Sequence, residues 1–578
     1  MAKENNDAVF QLTMKYFISG LINELSISIE FDNENLFAQL PNLKTENESL
    51  IEIRAKAKRN VFSTEIEIID SDSILINNHR LTTIDDLVDL GFNDKQIKLL
   101  KENFYSTLSL ENIYQQSQTQ QPKILNLFEK ILNKKFDYSD LKKPAELARL
   151  FSQLPQREAF ILSDTCGNID GSTGNPLKNV MFGEIDNAIE YHPIRVAFEH
   201  GSSQLDLVQF NPADIQSSGQ IPDRLKEQFS FLQQGLIPLH PYSFKLIQKT
   251  NPSLSCQRHL NTMTLLSKRS LIDQIDDYQI KTSFPAQITS ELRTIDWSLA
   301  HEILACSEIV EQLAQKQLLP NNYWVQLTRY AAQVKNDERT TFLIREGLQD
   351  AISNSSIRGI PKHLTPITAC ALTSRNILTP GKSLFESMIE FGFHGEQLFE
   401  NITRTIIHTQ LDLMKLGWLP DSHTQNVIYL FDFQQKIFVG LLQRDAECEK
   451  VHLDKLHSYG IQIPANHKIS YKLLRNLEEG DRKLITLYLH HSIYTKHIIP
   501  IANILYEKYQ INPIKLQEYV KQCLCEWKTN NKDYDISKDF DLSGRYYERN
   551  LACKTLHIGE PPHYRLIDNH PLLPQENL

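Results

Sequence analysis

The sequence contains no Cys-x-x-Cys pair and no Cys/His array of zinc-finger spacing; its eight cysteines stand apart at 166, 256, 306, 370, 448, 523, 525 and 553. That argues against a structural zinc module and leaves mostly free thiols as the expectation. Cys523-Leu-Cys525, weighed as a ligand pair, fits apolar packing better. No stretch reaches the ~18 to 20 apolar residues that span a bilayer, and the opening Met-Ala-Lys-Glu-Asn-Asn-Asp has no basic segment ahead of an apolar core. No membrane association is expected, and the cytoplasm is the expected compartment. Long Lys/Arg runs are also missing, and the formal net charge is −10 with a pI of about 6.0, which sets nucleic acid aside as a partner. The familiar glycine-rich phosphate loops are absent, as are the Gly-x-Ser-x-Gly elbow and His-Glu-x-x-His. A nucleotide site in this chain has to be built some other way.

What is present is an ordinary globular composition: 578 residues, 41% hydrophobic and 23% charged, with a mean hydropathy of −0.36. The length predicts about two to four domains. Residues 10–135 read as mainly helical, with a strand-like pair near 49–56 and 61–69. Between 160 and 300 the Gly, Pro, Ser and Asn content rises and apolar runs shorten, which predicts strands joined by loops. Amphipathic helices return from 300 to 420, and helical segments with turns fill 450–578. Between them, 424–445 reads as a hairpin, with Val-Ile-Tyr-Leu-Phe-Asp-Phe and Ile-Phe-Val-Gly-Leu-Leu-Gln flanking a Gln-Gln-Lys turn.

Three clusters carry candidate chemistry. Ser267-Lys-Arg269-Ser270, Lys281-Thr-Ser and Ile-Thr289-Ser-Glu-Leu-Arg293-Thr bring cations and hydroxyls together in strand-and-turn sequence. Arg offers a planar fork, Lys a point charge and Ser/Thr further donors, a set suited to a polyanion or a polycarboxylate, although a solvated charged face has the same composition. The hairpin brings His423, Gln425 and Asn426 toward Arg444 and Asp445. Asn and Asp oxygens suit Mg²⁺, His can hydrogen-bond a carboxylate or take a proton, and Arg can neutralise developing charge. The third, Ile-Pro-Leu-His240-Pro-Tyr with Glu190-Tyr-His192-Pro-Ile-Arg195, needs no chemistry to explain it, since Pro merely holds the preceding residue extended.

In order and spacing these segments resemble the NRPS-independent siderophore synthetases, the aerobactin-synthetase or IucA/IucC-type family. Ile-Pro-Leu-His-Pro-Tyr (237–242) is similar to the family's Pro-Val-His-Pro-Trp, and Ser267-Lys-Arg269-Ser270 to its Ser-x-Arg-Thr. Lys281-Thr-Ser, Thr289 to Arg293, His423-Thr-Gln425-Asn426 and Arg444-Asp445 follow in the family's order. Residues 487–497 and Ala-Cys-Lys554-Thr-Leu resemble its ferric-reductase-like C-terminal region.

The resemblance implies an α+β, hand-like fold: a helical thumb (1–135), strand-rich fingers (136–390) and a palm (391–578). It implies a siderophore-forming ligase that uses ATP and Mg²⁺ to adenylate a carboxylate, commonly citrate. The acyl adenylate is then joined to a polyamine, amino acid or amino alcohol, releasing AMP and pyrophosphate; a homodimer is implied as well. Ser267, Arg269, Ser270, Lys281, Gln425, Asn426, Arg444 and Asp445 would bind ATP. Thr289, Arg293 and His423 would hold the carboxylate, and Asn426 and Asp445 the metal. His423, Arg293 and Lys281 would be catalytic.

The family pattern breaks in two places. Upstream, where the family carries Gly-His-Pro-x-His-Pro-x-x-Lys-x-Arg, this chain keeps only His192-Pro193, with Arg195 at the second His and Glu199 at the Lys. The Glu that precedes the His-x-Gln-Asn turn is replaced by Ser422. These departures keep two other readings open: a degenerate relative that binds an anion or a partner synthetase without catalysis, and a ligase making another amide.

Overall fold

A computed structural model describes residues 28–41, 50–59, 66–82, 145–169, 203–265, 270–273, 277–288, 291–354, 358–374, 382–445, 448–463, 473–474, 489–535, 546–549 and 564–567. It also describes isolated positions within 14–25 and at 61 and 86.

Near the N-terminus, β1 (Ser28–Asp32), β2 (Asn35–Pro41), β3 (Leu50–Arg59), β4 (Ile66–Ile76) and β5 (His79–Arg80) form a five-stranded antiparallel sheet in sequence order. In β3 the residues Ile51, Ile53, Ala55 and Ala57 alternate with charge, so one face is apolar. Met14, Ile18, Leu21 and Ile22, at helical spacing, cover that face. The strand pair expected near 49–56 and 61–69 is therefore β3 and β4. A mainly helical character does not describe residues 28–41, 50–59 and 66–80, which form this sheet, and in β3 the period-two alternation is the stronger signal.

The middle of the chain supplies β6 (Ser203–Gln209), β7 (Ile215–Gly219), β8 (Leu236–Leu239), β9 (Cys256–Thr264), β10 (Ser270–Asp273) and β11 (Gln279–Thr282). A short hairpin follows, β12 (Phe284–Ile288) with β13 (Glu291–Arg293), and then β14 (Tyr323–Val325), β15 (Thr328–Val334) and β16 (Asp337–Arg345). Eight of these form an antiparallel sheet in the order β7-β15-β16-β11-β10-β9-β6-β8. Ile280, Phe342 and Ile344 point into one apolar layer with Leu207, Ile237 and Leu271. Leu343 and Ala331 face the opposite way, onto Ile303 and Leu304 of the helix Trp297–Gln315. Gln279, Lys281 and Arg345 share that second face, since Gln279 lies opposite Arg345 and Lys281 opposite Leu343.

A second sheet joins β14 to β17 (Thr365–Thr368), with, after β18 (Trp418–Pro420), the hairpin β19 (Val427–Asp432) and β20 (Ile437–Gln443), in the order β14-β20-β19-β17. The hairpin is the expected one, with Val427 opposite Gln443 and a turn at 433–436. The helix Gly395–Leu416 runs beside it, ending at Gly417, whose φ of 92° is the left-handed conformation a helix stop uses. One apolar core extends from Leu147 to Trp527 through this sheet and its helices. The division expected between 390 and 391 thus runs through a single sheet and a single core. Among the described residues no helix is long and apolar enough to cross a membrane.

Candidate active site

The turn from Asp421 to Asn426 is held at every backbone carbonyl. Asp421 O accepts from Gln443 Nε2 (3.0 Å) and Asn426 Nδ2 (3.1 Å), and Ser422 O accepts from His497 Nε2 (2.8 Å). His423 O takes the Asn426 N–H at 2.8 Å and Thr424 O the Cys370 N–H at 3.1 Å. Arg444 closes the set, donating Nε–H to Gln425 O (2.7 Å) and its own N–H to Asn426 O (2.9 Å). A turn fixed this way loses little further freedom when it meets a ligand.

His497 comes from a π-helical segment, Leu489–Ile498, a rare geometry that is frequent at functional sites. Its ring is buried, which pushes its pKa down to about 3, so the imidazole is neutral. Nε2 donates to Ser422 O, and Nδ1 accepts the Tyr429 hydroxyl at 2.6 Å. His423 is set differently. Its Nδ1 accepts the Gln425 N–H at 3.2 Å, which places the proton of the neutral ring on Nε2. Nε2 lies 3.6 Å from Asp421 Oδ2, in a side chain 29% exposed. That N–H is a donor a substrate carboxylate can take.

Beyond the hairpin, Asp445 turns back at φ 53°, a left-handed conformation that Asp tolerates better than most residues. Its Oδ1 meets Lys281 Nζ at 2.6 Å and also Arg345. Burial works against ionising this carboxyl, but Arg345 and Lys281 together outweigh it and hold the pKa well below the usual carboxylate range. Arg345 also donates to Gln279 Oε1 at 3.2 Å within its own sheet, and because Asp445 lies just past β20, its bonds to Lys281 and Arg345 join the two sheets at this point. Arg444 is fully buried, paired with Asp164 at 2.6 Å, and lies over the Phe160 ring.

Several expected site residues thus come together. Gln425 and Asn426 are bonded to Arg444, Lys281 reaches the adjoining Asp445 from 164 residues away, and Ser270 sits opposite Lys281 in the sheet. Arg293 closes the β12–β13 hairpin opposite Phe284, just beyond β11. Ser267, Arg269 and Thr289 lie outside the described residues, as do His192, Arg195 and Glu199. Ser422 is buried, taking Gln410 Nε2 at 2.8 Å and donating to Gln443 at 3.0 Å, so it supports the turn from behind. His240 caps the helix Pro241–Thr250 by accepting the Tyr242 N–H, and burial pushes it down to about 3; its place is structural. Cys523 is buried and Cys525 exposed on one helix, so they do not converge on a common ligand.

Arg345, Asp164 and His497 carry roles that the motifs did not assign. A signal existed for the first two: each is a charge ending or interrupting an apolar run, Thr-Phe-Leu-Ile-Arg345 and Ala-Phe-Ile-Leu-Ser-Asp164, and a buried charge requires a partner. Among the described residues, Lys281, Arg345 and Arg444 face Asp445 and Asp164, which leaves the cluster positive and suited to an anion. Lys281 and Arg345 both sit on Asp445 Oδ1, so a Mg²⁺ ion at that oxygen would meet two cations.

No family model and no curated protein matches this sequence. Solved structures do match along nearly the whole chain. Aerobactin synthetase IucC from a hypervirulent pathotype of Klebsiella pneumoniae is 12% identical with a TM-score of 0.68, covering 99% of each chain. Petrobactin biosynthesis protein AsbB from Bacillus anthracis str. Sterne is 13% identical with a TM-score of 0.69, covering 99% of this chain and 96% of the other. ATP-bound aerobactin synthetase IucA from the same Klebsiella pathotype is 13% identical with a TM-score of 0.66, covering 97% and 99%. The chain has the α+β fold of these siderophore synthetases.

Proposed function

We propose that this protein is an ATP-dependent ligase of siderophore assembly, activating a carboxylate, citrate in the first instance, and joining it to an amine or alcohol. The observation that carries the reading is the meeting of Lys281, Arg345 and Asp445 beside the braced His423 turn. The fold shared with an ATP-bound synthetase supports it.

A carboxylate is a poor electrophile at neutral pH, so its oxygen first attacks the α-phosphorus of ATP and pyrophosphate leaves. The nucleophile then attacks the acyl carbon and AMP leaves. Lys281 and Arg345, with Arg293 and the hydroxyls of Ser267, Ser270 and Thr289, bind phosphate and carboxylate oxygens. Gln425 and Asn426 line the nucleotide side of the turn. His423 donates a hydrogen bond from Nε2–H to the substrate carboxylate and orients it.

The test is a panel of citrate, 2-oxoglutarate and citryl monoamides offered with diamines and amino alcohols, followed by pyrophosphate release and product mass. Release that depends on both carboxylate and chain, and that is lost in His423→Ala and Arg293→Ala, is the expected result. The burial of Ser422, where the family carries Glu, favours a second reading: a relative that binds anions without turnover. That reading predicts anion binding with no pyrophosphate from any carboxylate.

A further inference from the structure

At the far side of the eight-stranded sheet from β7, strands β6 and β9 bring three ligating side chains to one place. Asp206 lies directly opposite His259 in the register, and Val208 lies opposite Cys256. A bulge at Gln257 makes this possible: in a regular strand Cys256 and His259 would point to opposite faces, and the extra residue turns the thiol to the side of Asp206. His259 Nδ1 stands 2.9 Å from Asp206 Oδ1 and 3.7 Å from Cys256 Sγ. All three ligand atoms lie within 4.8 Å of one another.

We propose that Asp206, Cys256 and His259 form a binding site for a borderline-soft divalent cation of the zinc class, with a fourth position open to solvent. Thiolate, imidazole and carboxylate are the donor set such an ion takes. Its bond lengths put tetrahedral ligand atoms about 3.3–3.6 Å apart, close to the spacing present. The charge balance points the same way. Asp206 is buried. Its ionic partner among the described residues is that one imidazole, while Arg258, between the two ligands on β9, lies over the Phe231 ring. A dication supplies the missing positive charge, and the 51% exposed His259 side chain leaves a path for it to enter. Bound there, it ties β6 to β9, inside the edge strand β8 of the sheet that carries Lys281 and Arg345, a role separate from the chemistry at His423.

Titration of the metal-stripped full chain with Co²⁺, an optical stand-in for Zn²⁺, tests this. The expected result is a thiolate-to-cobalt charge-transfer band that Zn²⁺ displaces. The band is lost in Cys256→Ser and unchanged in Cys525→Ser, whose thiol is exposed elsewhere. His259→Gln, a change at a half-exposed surface position, weakens binding about tenfold or more. Zn²⁺ also raises the melting temperature of the parent chain and not of Cys256→Ser. A parent chain with no band, or a band that survives Cys256→Ser, overturns the proposal and leaves the three groups as hydrogen-bonded partners only.

Discussion

Asp445 is the residue on which the candidate site balances, because two buried cations depend on it. Asp445→Asn keeps the shape and removes the charge, leaving Lys281 and Arg345 without their anion. Breaking a buried pair in this way costs about 3–5 kcal/mol, which denaturant unfolding will read. With its pKa held below the usual range by Arg345 and Lys281 against burial, Asp445 contributes stability that is present above the ordinary carboxylate pKa and lost only at lower pH. Acidification from neutrality to about pH 5 should therefore leave this pair intact. His497 loses its contribution on the same descent but from a higher pH. The unfolded chain takes up a proton near pH 6.5, whereas the buried ring resists to about 3. Stability is lost as pH falls through that window, at about 1.4 kcal/mol per pH unit for each such histidine. His240 adds a second proton to the same window. His497→Gln removes one proton from this dependence, so unfolding free energies measured across the window should fall less steeply than in the parent.

The hairpin β19–β20 does the positioning, and Gly440 shows how tightly it is seated. A Cβ at 440 would collide with the backbone carbonyl of Asn322, which also accepts the Leu441 N–H as β20 pairs with β14. Gly440→Ala forces the strands apart, at a cost of about 1–3 kcal/mol. It shifts Gln443, Arg444 and Asp445 together, and carboxylate-dependent turnover should drop more than melting temperature alone explains. This hairpin was legible in sequence because apolar residues, a polar turn and apolar residues again leave few alternatives, and its closure then puts 423–426 beside 444–445. The sheet of β1–β5 was only half legible. Its strands β3 and β4 alternate clearly, whereas Ser28–Asp32 and Asn35–Pro41 are short and mixed in character. Arg345 stood out as a charge ending an apolar run, but its partner is 100 residues away, and no local pattern names a partner met only on folding.

Across the whole molecule, the order of short motifs carried more information than any of them singly. His-Thr-Gln-Asn alone is a common polar turn, and the chain's match to the siderophore synthetases is one of fold, at 12–13% identity. Helical and strand-rich stretches were readable from texture along the chain, and the family resemblance supplied the α+β fold. The boundary at 390–391 was not readable, because β14 and β17 pair with strands that come later in sequence. Such pairing leaves no composition change to mark it. The activation step itself is open to direct measurement with a heavy-oxygen-labelled carboxylate, ATP and the purified chain. Adenylation predicts that one labelled oxygen appears in AMP, in a reaction abolished by His423→Ala and Lys281→Ala. Label appearing in inorganic phosphate, or no carboxylate-dependent cleavage of ATP with any acid of the panel, would contradict it.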